Sequence, residues 1–371
     1  MALEKRKEIG IPIRCGEFMP TPREMRDLLP NLEHVGNLRY PKSVVQNRTR
    51  YLSIVSPAGK TYTFGLESDI IDREKFDKIL TQKLLSHGGE LSIRSTGRLL
   101  SRGNGTLEVA IERKGDSQKV RSSMVVAADG ARSRTATGAG LRILSSPYDL
   151  SPVLQQVMGC VDTGNDTTEM YLGKDYCPGG FAWIIPRGDG LANVGLGIRT
   201  PFTEKGMTIT DYFDRFIRKH PLAAKRLRRT SAMSVVGGLV PCGGAIPKTY
   251  TEGVLVAGDS AGHVLASVGA GVPLAVVSGA IAGEVAAQWA LTGEPSLSKY
   301  ERQWKREMGK EIANSVRIRE LGDMAMRKDS WMERLLKVLG EERLSELIRC
   351  RIPFGRGYAA RLVRSVVGPW R

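Results

Sequence analysis

Two apolar strands in this sequence each run straight into an acidic turn. Met124-Val-Val-Ala-Ala128 leads into Asp129-Gly130, and Gly253-Val-Leu-Val-Ala257 leads into Gly258-Asp259. A short apolar run broken by a tight turn suits a parallel strand buried on both faces, which delivers its C-terminal end to a ligand site. An aspartate there can accept hydrogen bonds from a ribityl or ribose hydroxyl. The amides that open the next helix, near Gly269-Ala270-Gly271-Val272, can bind anionic or electron-rich ring edges. Either turn alone is a weak signal, because strand-loop-helix joints often hold Gly and Asp.

The rest of the chain is organised around these turns. Tyr51–Ser56 and Thr61–Leu66 alternate apolar and polar residues about Pro57-Ala-Gly59, which reads as a hairpin. Phe76, Ile79, Leu80, Leu84 and Leu85 recur at helical spacing and end at Gly88-Gly89, which predicts a helix over Asp72–His87. Glu90–Arg94, Thr106–Arg113 and Lys119–Ala127 read as strands. Between 150 and 250 short strands dominate: Val153–Val161, Glu169–Leu172, Phe181–Pro186 and Leu191–Gly197, followed by a helix over Ile209–Lys219. Ser298 opens a long, polar, helical segment. Val264–Gly283 is free of charge and long enough to span a membrane. Its proline, glycines and alanines make it weakly hydrophobic, so a loop followed by a buried helix is expected, with Gly279-x-x-x-Gly283 letting that helix press close to a sheet. The expected divisions are 1–145 together with 251–300, an inserted lid or substrate sheet over 146–250, and a basic helical end over 301–371.

Composition narrows the class. The chain has 371 residues, 41% hydrophobic and 25% charged, which is globular and long enough for a real core. Its five cysteines are scattered without C-x-x-C spacing, so free thiols in a reducing compartment are expected, with no metal framework. The start, Met1-Ala2-Leu3-Glu4, shows no signal-peptide pattern. The formal charge is +16. The stretch Gly357–Val367 suits either a basic amphipathic helix on an anionic lipid surface or a solvated helix face. No zinc-finger, RNA-recognition or basic-zipper pattern accompanies the charge, so no nucleic-acid partner is expected. His34, His87, His220 and His263 are scattered, and only His263 lies near a proposed site.

Taken together, the segments Ala127-Ala128-Asp129-Gly130-Ala131-Arg132-Ser133 and Gly258-Asp259-Ser260-Ala261-Gly262 resemble the FAD-binding monooxygenase and reductase superfamily. Glu4-Lys5-Arg6-x-Glu8-Ile9-Gly10-x-Pro12-x-Arg14-Cys15-Gly16-Glu17 is similar to the segment after the second strand of geranylgeranyl reductases. Cys177-Pro178-Gly179-Gly180-Phe181-Ala182-Trp183-Ile184-Ile185-Pro186-Arg187-Gly188 resembles their aromatic sheet motif, and Asp72-Arg73-x-x-Phe76-Asp77 their flavin-contacting helix. The resemblance covers residues 3–305 or so. It implies an α/β fold: a Rossmann-like FAD-binding sheet, a second, mostly antiparallel substrate sheet and a helical C-terminus.

The resemblance also assigns roles. FAD would be held by Glu4 at the adenosine ribose, by Cys15, Gly16 and Phe18 along the flavin, and by Arg73, Gly97, Asp129, Gly130, Asp259, Gly271 and Val272. Cys15 would be the catalytic residue of the active site, although by itself it reads equally as a small buried hydrophobe. Phe181 and Trp183, two apart on one strand, would line an apolar tunnel, and Arg187 would steer a phosphate head group. The implied substrate is an isoprenoid lipid or prenyl diphosphate, reduced at its C=C bonds with electrons from NAD(P)H or ferredoxin. The implied location is the cytoplasm, with peripheral contact to an anionic membrane.

The sequence departs from the superfamily in one respect. No G-x-G-x-x-G fits ahead of Glu4, so the first strand, the phosphate loop and the first helix are expected to be missing. A start placed too far downstream, a decayed or split gene, and a truly shortened protein each account for this. The F-x-W-x-I-P form also leans towards flavin halogenases. Two other readings therefore stand beside the reductase: a flavin monooxygenase or halogenase, which oxygen uptake would reveal, and a cofactor-free remnant that binds lipid surfaces.

Overall fold

The computed structural model describes residues 1–353, apart from residue 104 and residues 293–295. The expected tail helix at 357–367 lies outside the described residues. The fold is mixed α/β, with one large sheet, several small ones and a helical C-terminal region.

The large sheet has eight strands, in the order Ser231–Pro241, Leu150–Gly159, Leu191–Gly197, Ala182–Gly188, Thr167–Tyr171, Val45–Val55, Thr61–Ile71 and Phe18–Pro20. Every neighbouring pair is antiparallel except Thr167–Tyr171 with Val45–Val55. The hairpin about Pro57 forms as expected, but its arms extend to Val45 and Ile71. Three strands of this sheet come from residues 18–71, so the sheets do not follow the expected division at 145. Strand alternation gives the sheet two faces. One face packs on the helix Ile209–Lys219 through the fully buried Tyr212, Phe213 and Phe216. Thr208 and Asp211 form a reciprocal capping box at the start of that helix, which explains why its start was legible.

The part expected to hold a cofactor is built from smaller pieces. Ala2–Glu4 pairs in parallel with Leu91–Ile93. Val254–Val256 pairs in parallel with Val125–Ala127, and Tyr250–Thr251 adds an antiparallel edge. Among the described residues these two groups share no hydrogen-bonded ladder. The expected strand Lys119–Ala127 is divided: Asp116–Ser122 joins Ser95–Gly103 and Thr106–Arg113 in an antiparallel sheet, and Val125–Ala127 joins the parallel one. The Ser122 hydroxyl donates to Met124 O at 2.6 Å and accepts from Met124 N at 3.3 Å, which turns the chain between them. Nor is this strand buried on both faces. Ala127 is buried, but Val126, pointing to the opposite face, is 42% exposed.

Asp72 caps the helix Arg73–Ser86 by accepting from Lys75 N, and Gly88, at φ +79°, turns the chain away. The uncharged stretch is a buried loop followed by the helix Val272–Thr292, which by length and composition could cross a membrane. One face of it, with Leu274, Val277, Ile281 and Val285, enters the main core with Tyr300 and Trp304. Gly279 and Gly283 do not mediate that packing. Both are exposed and a Cβ at either would meet no atom within 4 Å, so the larger aliphatic residues make the contact instead. The C-terminal segment forms the helix Ser298–Trp304, a π-turn at Lys305–Gly309, the helix Lys310–Ala325 and the helix Asp329–Ile348. The last is broken at Gly340, whose φ of 63° and ψ of 178° no helix contains.

Candidate active site

The second face of the large sheet lines a cavity of about 1010 Å³. Its lining follows the period of two: Leu52 and Ile54, Val153 and Gln155, Met170 and Leu172, and Trp183 and Ile185. The helix Asp329–Ile348 closes the apolar end with Met332, Leu336, Leu339 and Leu344, all buried. The polar end is formed by Cys15, Arg73, Asp259 and Gly271. Phe181 and Trp183 line the space between, with ring centroids 5.8 Å apart. Trp183 packs over Gly195, where a Cβ would sit 2.4 Å from the indole.

The segment Arg14–Phe18 crosses the sheet as a strap held from below. Gln155 Nε2 donates to Cys15 O at 2.9 Å, and Asn193 Nδ2 donates to Gly16 O at 3.0 Å. Trp183 Nε1 in turn donates to Gln155 Oε1 at 3.2 Å, so the aromatic motif fixes the strap's orientation. Arg73, at the start of its helix, donates to Asp77 at 2.9 Å. Burial works against its charge, but Cys15 and Asp77 beside it outweigh this and hold its pKa above the ordinary arginine value. Its Nε is buried without a hydrogen-bond partner among the described residues. An orphaned donor on a cavity wall is the mark of a site shaped for an acceptor from outside the chain.

The two acidic turns meet. Ala257 N donates to Ala127 O at 3.1 Å, and Gly130 N donates to Ser260 Oγ at 2.8 Å. The carboxylates differ. Asp129 is engaged within its own turn, by Ser133 Oγ, by Thr135 N and Oγ1 at 3.1 Å each, and by Ser260 Oγ at 3.4 Å. Asp259 faces the cavity, and burial pushes its pKa up to about 6 against the opposing pull of Arg73. A Cβ at Gly271 would stand 3.2 Å from Asp259 Oδ1 and 3.1 Å from Val264 Cγ2, so glycine there keeps the approach to the carboxylate open. Val272 opens the helix beside it.

The structure thus brings Cys15, Gly16, Phe18, Arg73, Phe181, Trp183, Asp259, Gly271 and Val272 onto one cavity. Glu4, Gly97, Asp129, Gly130 and Arg187 lie outside its lining. Glu4 accepts from Arg6 N at 2.8 Å, and Gly97 passes against Leu3, whose Cδ1 would be 2.9 Å from a Cβ. Arg187 Nε is paired with Glu17 at 3.1 Å and donates to Gln46 Oε1 at 2.8 Å. Motif reading passed over several residues of the cavity. Arg199, 2% exposed, pairs with Asp323 of the helix Lys310–Ala325 and donates to Gly179 O at 2.7 Å. Arg349 pairs with Glu24 at 2.9 Å. The leucines of the last helix carry no motif, but Met332, Leu336, Leu339 at helical spacing were a legible sign of a buried face.

The sequence profile of the geranylgeranyl reductase catalytic domain matches residues 149–240, which supply most strands of the large sheet. The chain is 32% identical over 351 residues to the digeranylgeranylglycerophospholipid reductase of Methanocaldococcus jannaschii, spanning 92% of this chain and 84% of that one. It is likewise 32% identical to digeranylgeranylglycerophospholipid reductase 2 of Methanothermobacter thermautotrophicus, over 94% of this chain and 84% of the relative. Among solved structures, a geranylgeranyl bacteriochlorophyll reductase-like protein of Thermoplasma acidophilum superposes with a TM-score of 0.79 at 24% identity, covering 98% of this chain and 88% of that one. The halogenase PltM in complex with phloroglucinol and FAD superposes with a TM-score of 0.65 at 13% identity, over 98% and 80%. The architecture is therefore one that flavin-dependent enzymes share, and it follows the reductase-like protein more closely than the halogenase. Sequence likeness across nearly the whole chain, and a cavity with a polar end and an apolar end, agree on one conclusion: the chain belongs to the digeranylgeranylglycerophospholipid reductase family.

Proposed function

We propose that this protein is an FAD-dependent oxidoreductase that reduces isoprenoid C=C bonds, on the geranylgeranyl groups of membrane lipids or of diphosphates. The observation that carries the reading is the continuity of one cavity from Asp259, Arg73 and Cys15 to the leucines of the last helix. A flavin, when bound and reduced, supplies hydride to an alkene carbon.

The chain's own residues do the rest. Asp259 accepts hydrogen bonds from ribityl hydroxyls, Gly271 and Val272 offer backbone amides, and the free Nε–H of Arg73 serves an acceptor of the cofactor. Cys15, Gly16 and Phe18 form the wall along the ring. By the resemblance Glu4 serves the adenosine ribose and the turn Asp129-Gly130 the same dinucleotide; Glu4 also accepts from Arg6 N, and Asp129-Gly130 is tied to Ser260 of the second acidic turn. Phe181 and Trp183 orient the isoprenoid against the strap, and Leu52, Ile54, Leu336 and Leu344 exclude water from the chain beyond it. NAD(P)H or ferredoxin is the electron donor, and work in the cytoplasm at an anionic membrane face fits both the substrate and the positive charge.

The test is an anaerobic incubation of the reduced, flavin-loaded protein with a digeranylgeranyl lipid. Mass shifts in steps of two hydrogens are expected. Unchanged lipid under strict anaerobiosis, or oxygen uptake coupled to oxidation of an aromatic compound, would overturn the reading.

A further inference from the structure

Glu17 is 1% exposed, yet it lies on the cavity strap between Gly16 and Phe18. Its φ is +64°, a conformation that residues with a side chain seldom adopt. Its carboxylate is fully engaged. Oε1 accepts from Arg73 N at 3.1 Å, while Oε2 accepts from Asn193 Nδ2 at 2.9 Å and faces Arg187 Nε at 3.1 Å. Its own N–H donates to Cys15 Sγ at 3.2 Å. Asn193 Nδ2 also holds Gly16 O, so the same amide that reads Glu17 pins the strap to the sheet.

A buried carboxylate is costly unless every oxygen is satisfied, and an apolar residue of similar volume would hold a wall at less cost. A charge kept in this place, on a strained backbone, points to a requirement for geometry rather than for stability. We propose that Glu17 is a positioning residue for the reaction: its carboxylate, clamped by Arg187 and Asn193, holds the Arg73 backbone and locks the Glu17 backbone in place, whose N–H in turn holds the Cys15 thiol, so that both keep one spacing along the cavity wall. Arg187 thereby acts on the site through Glu17 rather than by meeting a substrate phosphate. The inference rests on the reductase reading for its consequence in catalysis, but not for its effect on Cys15.

The experiment uses the full chain and two variants. Glu17→Gln keeps the shape and removes the charge opposite Arg187, and Arg187→Met removes the clamp while leaving Glu17. Near-ultraviolet circular dichroism and melting establish that each is folded. Alkylation of Cys15 by iodoacetamide, followed on its own peptide by mass spectrometry, is expected to quicken about 5-fold or more in both, as the strap loosens. In lipid reduction kcat should fall about 100-fold while KM stays within about threefold, because a misplaced wall impairs the reacting geometry more than binding. The double variant should be no worse than the worse single one, since both remove the same pair. A purely structural carboxylate would lower the melting temperature without this pattern. Folded variants whose Cys15 alkylation stays within about twofold of the parent overturn the proposal. If Glu17→Gln does not fold, Arg187→Met decides it. If the parent reduces no lipid, the reductase reading fails, while the alkylation result still judges the role of Glu17.

Discussion

The eight-stranded sheet and the parallel strand pairs of the cofactor side solve the same problem with unequal means. The large sheet has a covering on both faces: the helix Ile209–Lys219 on one, the cavity and the C-terminal helices on the other. The cofactor side is divided into separate small sheets, and Val126 stands partly in solvent on the open face of its strand. What the difference teaches is that closure is uneven: the parallel pair buries Val254, Leu255 and Val256 as fully as the large sheet buries its own core, but leaves Val126 open and joins its two turns through Ser260 and Gly130.

The sharpest way to break that comparison is to remove one large side chain from the closed half. Phe216, fully buried between the sheet and its helix, should cost about 3–5 kcal/mol as Phe216→Ala in urea unfolding. Next in size is Asp259→Ala, which removes a charged acceptor from the cofactor end. It should weaken flavin binding about 100-fold, read by titration of flavin fluorescence, while melting of the ligand-free protein stays within a few degrees.

The pH dependence of Asp259 comes third. Its folded pKa is raised to about 6 from the ordinary 3.8, so over that window the native state keeps a proton that the unfolded chain has lost. Stability therefore falls as pH rises from about 4 to 6 through this group. Asp259→Asn should remove that loss and leave the ligand-free protein about 1–3 kcal/mol more stable than the parent at pH 7. Taking the difference between the two proteins isolates the effect from buried His220 and His263, whose pKa values burial lowers and whose contribution runs the opposite way.

Fourth, Leu336→Trp narrows the apolar end of the cavity. It should raise KM for a long isoprenoid several-fold more than for a short one, at a stability cost of about 1–3 kcal/mol. The smallest effect is expected at the open face. Val126→Ala should change stability by less than about 0.5 kcal/mol, and a loss as large as that at Phe216 would show the cofactor side to be as tightly closed as the substrate side.

The legibility of the sequence divides along the same line. The helix Ile209–Lys219, the strand Leu191–Gly197 and the helix after Asp72 could be read because caps and periodicity are local signals. The acidic turns could be read because they end short apolar strands. The break at Ser122 was missed although the mostly polar Lys119–Ser123 gives way there to the apolar Met124–Ala128; the Ser122 hydroxyl, bonded to both Met124 O and Met124 N, marks the point where the chain changes sheet. Glu17 and Arg199 were missed for another reason: each acts through partners distant in sequence, Asn193 and Arg187 in one case and Asp323 in the other. The last helix was read as polar overall, although Met332, Leu336 and Leu339 at helical spacing mark a buried face; which sheet that face meets is set by the fold.

The break at Gly340 has a consequence for how such an enzyme diversifies. It lets a single C-terminal segment lay two short apolar ridges across one end of the cavity, on an element separate from those that carry Cys15, Arg73 and Asp259. Calibre and chemistry are therefore written on separate parts of the chain. Exchanges among Leu336, Leu339 and Leu344 would change the calibre of the apolar end without touching Cys15, Arg73 or Asp259 at the other.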